Sequence, residues 1–257
     1  MAVVWVGARA RSISIYAVPG MLDDDEGLGA ELLSAVPIFP LPNAVLLPGM
    51  VLPLNVFEPR YLELVDHALE GSQHIGVPLL RPGYEDDYEA RPEVESVFGV
   101  GRLTSHQRLP DGRRFIRLAG ARRLRLVREL PPEQSFRLVE CQLLQETMPG
   151  KPSGLDVLKA QLERICATLR PDDAELVDSV LRIPDPRVLS YAVAAILPTL
   201  GFTSASASSQ HSSMLTMQQA TLNAADADAR VEVLSEFAAE LCARLLDDGR
   251  IPKALLN

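Results

Sequence analysis

The pattern of apolar and polar residues changes near residues 148–154, where proline and glycine interrupt the chain. Before this point, short apolar runs alternate with polar residues, which is typical of β-strands. After it, apolar residues recur at spacings of three and four, which is typical of amphipathic helices. The pattern therefore predicts a β-rich domain over 36–147, a linker over 148–154 and a helical lobe over 155–250.

The β-rich part opens on an apolar stretch, 36–57, that five prolines interrupt. Because proline cannot donate to a central sheet ladder, we expect short strands and edge strands here. Pro59 then suits the first turn of a helix that ends at Gly71. Further strands are predicted over 75–80, 97–109, 113–118, 123–128 and 136–144. Many short strands with a single helix indicate a small β-barrel.

Two glycine motifs lie in this β-rich part. Asp111-Gly112 separates two predicted strands and is a hairpin signal, because glycine tolerates a positive φ in a tight turn. Gly99-Val100-Gly101 begins like a dinucleotide-binding fingerprint but lacks its third glycine and lies inside a strand. Such glycines indicate a bulge or a close approach of another backbone segment.

The helical lobe begins with a narrow apolar stripe at helical spacing, which predicts a first helix. The stripe consists of Leu155, Leu158, Leu162, Ile165 and Leu169. Asp185-Pro186 predicts the start of another helix, with the carboxylate as the N-cap. Other helices are predicted over 172–181, 214–222 and 233–245. Residues 201–213 are rich in Ser and Ala, and we expect a mobile loop there.

Residues 1–35 precede this pattern. An apolar start is followed by Arg9 and Arg11, the reverse of the charge order in a secretory signal. Met21 and an acidic run come before the first clear strand. We therefore expect a disordered or extended leader over 1–35, or a start codon assigned too early, with an extra strand over 12–18 as the alternative.

Composition and charge narrow the function classes. The 257 residues carry a formal net charge of −9 and are 47% hydrophobic, as in ordinary globular proteins. The acidic balance argues against general binding to nucleic acid or anionic membranes. No apolar stretch approaches the roughly 20 residues needed to span a membrane. Cys141, Cys166 and Cys242 are far apart without metal-ligand spacing, which predicts a reducing cytoplasmic location and no metal site.

The sequence carries no recognised catalytic motif. It has no phosphate-binding loop and no nucleophile elbow, so we predict no catalytic residues and no cofactor. Residues 102–128 contain nine arginines against one acid, which is either a phosphate-facing patch or the solvated face of amphipathic strands. Only Phe115 supplies an aromatic ring there, so the solvated face is the favoured interpretation.

The proline-rich opening resembles a known family. The residues 36–42 and 45–54 and the motif Phe57-Glu58-Pro59-Arg60-Tyr61 resemble the amino-terminal substrate-recognition domain of the Lon proteases, in the form of stand-alone bacterial versions. The resemblance continues through both glycine motifs and 118–125. It ends in a weaker late helical motif, which comprises Gln219, Leu222, Asp226, Arg230 and Val231.

This resemblance implies an α+β protein, with a PUA-like β-barrel that includes one helix, followed by an all-helical lobe. It implies neither an ATPase nor a protease, because in the family those modules lie beyond this domain. The expected function is a non-catalytic module that binds apolar or unfolded polypeptide segments, as an adaptor or quality-control factor. The expected partners are client proteins, with homodimerisation left open and no membrane.

Substrate binding is predicted in the segment 46–61, whose prolines disrupt regular pairing. The candidate residues are Leu47, Met50, Phe57, Arg60 and Tyr61. Methionine and aromatic side chains suit a promiscuous apolar surface. The alternative at each position is a role in the core. The alternative function is RNA binding by a PUA-like barrel through 102–128, and a stand-alone hydrolase is a third interpretation.

Overall fold

The computed structural model describes residues 22, 27–87, 91–147, 150–200 and 207–247. The chain divides into two compact units, Met1–Gln145 and Glu146–Asn257. The first contains α1 (Ala30–Ser34), β1 (Val36–Ile38), β2 (Val51–Val56), α2 (Pro59–Glu70), β3 (His74–Val77), a 3-10 turn (Tyr84–Asp87), β4 (Val97–Arg108), β5 (Arg114–Glu129) and β6 (Arg137–Leu143). The second contains α3 (Leu155–Cys166), α4 (Pro171–Leu181), α5 (Pro186–Ile196), a 3-10 turn (Leu197–Thr199), α6 (Ala207–Asn223) and α7 (Ala227–Asp247). The predicted α+β class is confirmed.

The first unit is a six-stranded sheet that returns on itself. The strand order is β2-β5-β4-β3-β1-β6, and β6 also pairs with β5. The beginning of β5 pairs with β2 and its end pairs with β6, so the sheet is a barrel with one additional edge strand. The predictions of separate strands over 113–118 and 123–128 are wrong, because β5 runs unbroken through Gly120.

Gly120 lies inside β5 and does not interrupt it. Its missing side chain allows another backbone segment to pass close to the strand. A Cβ at Gly120 would lie 2.1 Å from the Leu47 carbonyl oxygen, and one at Gly99 would lie 1.9 Å from the Leu46 carbonyl oxygen. The Gly120 N–H also donates to the Met50 carbonyl at 2.7 Å. The loop between β1 and β2 therefore crosses the sheet where side chains are absent, as the strand glycines predicted.

Alternating side chains of the barrel form two apolar clusters. One lies between α2 and the sheet and includes Tyr61, Leu64 and Ile116. The other includes Phe98 and Leu124 together with residues that precede β1. The prediction of an amphipathic helix from Pro59 to Gly71 is confirmed, since α2 begins at Pro59 and ends at Glu70.

The segment before β1 belongs partly to the core. Leu28 and Leu32 are buried in the second cluster, and Leu32 lies on α1. Leu22 is buried as well, and its carbonyl accepts a hydrogen bond from the buried Arg122 guanidinium. The leader predicted over 1–35 thus contains a packed segment near its end. The candidate strand over 12–18 lies outside the described residues.

The second unit begins with a buried charge cluster. The Arg230 guanidinium lies 3.0 Å from the Glu146 carboxylate, and both side chains are almost completely buried. The Tyr191 hydroxyl donates to the same carboxylate at 2.8 Å, and Arg230 Nε donates to the Ser190 hydroxyl at 2.9 Å. Glu146 and Thr147 are therefore held by α5 and α7, because the Ala227 N–H also donates to the Thr147 carbonyl.

The helices of this unit follow the predicted pattern with two exceptions. The stripe residues Leu155, Leu158, Leu162 and Ile165 are buried on α3, but α3 ends at Cys166, so the fifth stripe residue, Leu169, lies beyond the helix and is half-buried. The Asp185 carboxylate caps α5 by accepting from the Arg187 N–H. The expected mobile loop over 201–213 is wrong from Ala207 onward, where α6 begins. Ser and Ala without Gly or Pro are compatible with a helix, and Ala is the strongest helix former.

Candidate functional site

The segment 46–61 places its predicted site residues at different depths. Leu47 and Tyr61 are buried, with 1% and 6% of their surfaces exposed, and Met50 is nearly as buried. Phe57 is 36% exposed and lies between β2 and α2. Arg60 lies on the first turn of α2 with about a fifth of its side chain exposed. Phe57 and Arg60 are therefore the predicted residues that a partner can reach in this conformation.

The beginning of α2 is fixed by aromatic and ionic contacts. The Tyr61 ring stacks on Phe39, with 4.1 Å between ring centroids. Arg60 Nε donates to the Glu58 carboxylate at 2.9 Å, and its guanidinium lies 4.8 Å from the centre of the Tyr61 ring. This pairing holds the Arg60 side chain across the aromatic stack, so the surface next to Phe57 is preorganised.

The other accessible part of the segment is the outer face of β2. Side chains alternate along this strand, with Leu52, Leu54 and Val56 in the core. Val51, Pro53 and Asn55 are half-buried on the opposite face. Their neighbours across the ladder, on β5, are Ala119, Arg117 and Phe115. We name Val51, Pro53, Asn55, Phe57, Phe115 and Arg117 the β2 surface.

Most arginines of the predicted patch over 102–128 have protein partners. The Arg114 guanidinium donates two hydrogen bonds to the Asp66 carboxylate, with both nitrogen–oxygen distances at 2.6 Å. Arg113 pairs with Asp111, and Arg128 pairs with Glu140. Arg122 and Arg123 are buried. The arginine-rich sequence therefore does not correspond to one row of free cations.

The electrostatics at Asp66 follow from this pairing. The hydrogen bonds from the Arg114 guanidinium lower the pKa of the Asp66 carboxyl, and the nearby positive charges act in the same direction. Arg108 approaches the same carboxylate at 3.6 Å. The ionised carboxylate links α2 to the β4–β5 hairpin, so this contact is structural.

Two further observations limit the chemistry of the site. Burial raises the pKa of the Cys141 thiol to about 12, which leaves it protonated and a poor nucleophile. Within the described ranges, no cluster of His, Cys, Asp and Glu has the arrangement of a metal site. The helical unit contains a separate pocket with a volume of about 30 Å³. Its lining consists of Leu197, Pro198, Ser213, Met214, Met217, Phe237, Leu241 and Arg244.

No helix in the described part of the chain is both long enough and apolar enough to cross a bilayer.

The fold is similar to that of the amino-terminal domains of Lon proteases. The N-terminal domain of the Lon protease from the Mycobacterium avium complex superposes with a TM-score of 0.58 at 18% identity, covering 80% of this chain and 99% of that one. A Lon N-terminal domain protein from Xanthomonas campestris gives a TM-score of 0.54 at 24% identity, covering 78% and 96%.

The family itself is identified from sequence. The model of the ATP-dependent protease La (LON) substrate-binding domain matches residues 35–201. The chain therefore belongs to the Lon substrate-binding domain family. The Lon protease of Lawsonia intracellularis is 28% identical over 182 residues, which cover 68% of this chain and 21% of that protein. Lon protease 2 of Desulfotalea psychrophila is 29% identical over 169 residues, which cover 63% and 21%. The chain thus spans about a fifth of these relatives.

The sequence pattern predicts 46–61 as the binding segment but does not indicate which of its side chains are accessible. The candidate residues were chosen by type, and three of the five are buried. The proline at position 53 is the signal that could have located the accessible edge, because a proline within a strand requires an unpaired neighbouring side.

Proposed function

We propose that this protein is a non-catalytic module that binds apolar or unfolded polypeptide segments, as an adaptor or quality-control factor of the cytoplasm. Its membership of the Lon substrate-binding domain family is the observation that carries the proposal. The three cysteines are free thiols, which agrees with a reducing compartment.

The β2 surface supports the proposal and supplies a location for binding. Phe57 is one of the few large apolar side chains exposed among the described residues. Val51 and Pro53 on the same strand and Phe115 on β5 are apolar and half-buried, so a partner lying along β2 would meet further apolar side chains. Leu47, Met50 and Tyr61 are buried, and Arg60 is paired with Glu58 at the start of α2. Whether these residues contact a client directly stays a prediction.

RNA binding is the less favoured alternative. Arg113, Arg114 and Arg128 are paired with carboxylates, which reduces the positive field that phosphates would meet. A salt titration with single-stranded RNA tests this alternative. Tight RNA binding at low salt that weakens steeply as salt rises would favour RNA binding over polypeptide binding as the function.

The main test compares two apolar-to-acidic substitutions. Phe57→Asp introduces a charge into the β2 surface and is expected to weaken binding of a denatured, carboxymethylated client at least about tenfold. Val127→Asp is the matched control, because Val127 is 55% exposed on β5 outside the surface and should bind normally. Both variants should retain the wild-type circular dichroism spectrum. Equal binding by both variants would exclude the surface as the site.

A further inference from the structure

The outer edge of β2 has backbone groups that no neighbouring strand uses. The Gly120 N–H donates to the Met50 carbonyl, which fixes the alternation of the β2–β5 ladder. In an antiparallel ladder, residues that hydrogen-bond the partner occur at every second position. Leu52, Leu54 and Val56 therefore direct their N–H and C=O groups toward β5. The backbone groups of Val51, Pro53 and Asn55 point away from β5.

This outer edge is free within the described part of the chain, where β2 is the terminal strand of the sheet and pairs with β5 alone. The available groups are the N–H of Val51 and Asn55 and the C=O of Val51, Pro53 and Asn55. Position 53 is one whose backbone N–H would point outward, and proline has no N–H to offer there.

The side chains of this edge do not protect it by charge. Exposed edges are commonly blocked by charged residues, prolines or bulges, because they pair with any extended chain. β2 carries no charged residue, and Pro53 is its one blocking element. The outer face beside the edge carries the apolar Val51, Pro53 and Phe115, and the exposed Phe57 follows the strand. An added strand would therefore find both backbone partners and an apolar surface.

Arg117 gives this surface a charge preference. It is opposite Pro53 on β5, its side chain is exposed, and it takes part in no ion pair among the described residues. Adjacent strands are about 4.8 Å apart, so an arginine side chain can extend over the small ring of Pro53 to the next strand. An acidic side chain on an added strand would meet a cation there.

We infer that β2 binds its client as an additional β-strand. The occupant is an extended polypeptide segment with apolar side chains at alternate positions and an acidic residue near its centre. This inference rests on the proposed function and specifies its substrate: an extended strand, read largely through its backbone, which explains tolerance of many sequences.

Backbone methylation of a peptide probe tests the inference. The probe is a fluorescent peptide of alternating valine and threonine with one central glutamate, and the full chain is the receptor. Two further peptides carry N-methyl groups on the odd or on the even residues. An added strand uses the N–H groups of one set only. One methylated peptide should therefore lose at least about tenfold in affinity while the other binds as the unmethylated probe does. Equal effects of both methylation patterns would overturn strand addition.

A substitution in the protein tests the same edge. Pro53→Thr supplies the missing outward N–H and should tighten probe binding about threefold to tenfold, the value of one additional hydrogen bond. Pro132→Thr is the matched control, because Pro132 is exposed in the loop before β6 and should leave affinity unchanged. Unchanged affinity in Pro53→Thr would count against the inference. A Pro53→Thr dimer that excludes the probe would assign the edge to a second copy and also overturn it.

The outcomes separate this inference from the proposed function. If both methylated peptides bind alike while Phe57→Asp still loses the denatured client, strand addition is wrong and polypeptide binding stands. If the wild-type chain binds neither the client nor the probe, the proposed function itself is wrong. Binding that appears only after residues 1–20 are removed would assign the edge to that segment of the same chain.

Discussion

The positions that tolerate no side chain at all are Gly99 and Gly120, because the carbonyl oxygens of Leu46 and Leu47 occupy the space of a Cβ. These contacts place the backbone of the β1–β2 loop directly on the sheet. Backbone cannot move aside as a flexible side chain would, so the loop or the strand must shift to admit a methyl group. The glycines therefore determine the path of the segment that carries the candidate surface.

Gly99→Ala is expected to destabilise the protein by more than about 3 kcal/mol, because the added Cβ would lie 1.9 Å from the Leu46 carbonyl oxygen. Denaturant unfolding measures the change. Gly29→Ala is the control, since a Cβ there would meet nothing within 4 Å and the residue has an ordinary extended backbone. A Gly99→Ala protein as stable as the control would refute the close approach.

Asp66 predicts a pH dependence of stability. Its pKa in the folded state lies below the usual value of an aspartate, because Arg114 donates to the ionised carboxylate. The stabilisation is therefore complete at neutral pH and is lost as pH falls through the folded-state pKa. Asp66→Asn should cost on the order of 1 kcal/mol at pH 7, and the difference from wild type should vanish at acid pH. A difference that persists unchanged to acid pH would contradict this assignment.

Among the secondary-structure elements, α7 supplies Arg230, which forms a buried ion pair with Glu146 at the start of the second unit. Removing one member of a buried pair leaves an uncompensated charge, at a cost of about 3–5 kcal/mol. Glu146→Met and Arg230→Met should each destabilise by this amount in denaturant unfolding. The double variant should recover much of the loss, because two apolar side chains need no partner. Additive losses in the double variant would show that the two charges are not coupled.

Some of the secondary-structure elements were predictable from sequence patterns and others were not. Helix α2 and the buried stripe of α3 were predictable, because periodicity records which side of an element meets the core. The continuity of β5 was not predictable, because a glycine such as Gly120 normally indicates the end of a strand. Only the position of the β1–β2 loop next to Gly120 explains why the strand continues. The start of α6 was missed because a Ser/Ala composition fits both a loop and a helix. The family resemblance located the candidate segment, but burial decides which of its side chains are accessible.

For the chain as a whole, the N-terminal boundary can be set by truncation. A protein that starts at Met21 keeps Leu22, Leu28 and Leu32, which are buried against the barrel. Its melting temperature should remain within a few degrees of the full chain. A protein that starts at Ala35 loses all three and should melt at least about 10 °C lower. A large loss in the Met21 protein would instead indicate that the earlier segment, including the candidate strand over 12–18, is part of the fold.

The closure of the barrel also has a consequence for biosynthesis. Strand β1 pairs with β6 through Val36 and Val139, positions about a hundred residues apart. A ribosome adds about 5–20 residues per second, so β1 leaves the ribosome roughly 5–20 s before its neighbour exists. During this interval the edge of β1 that pairs with β6 stays open in the nascent chain. We therefore expect β1 to be the segment of the nascent chain that chaperones contact during translation.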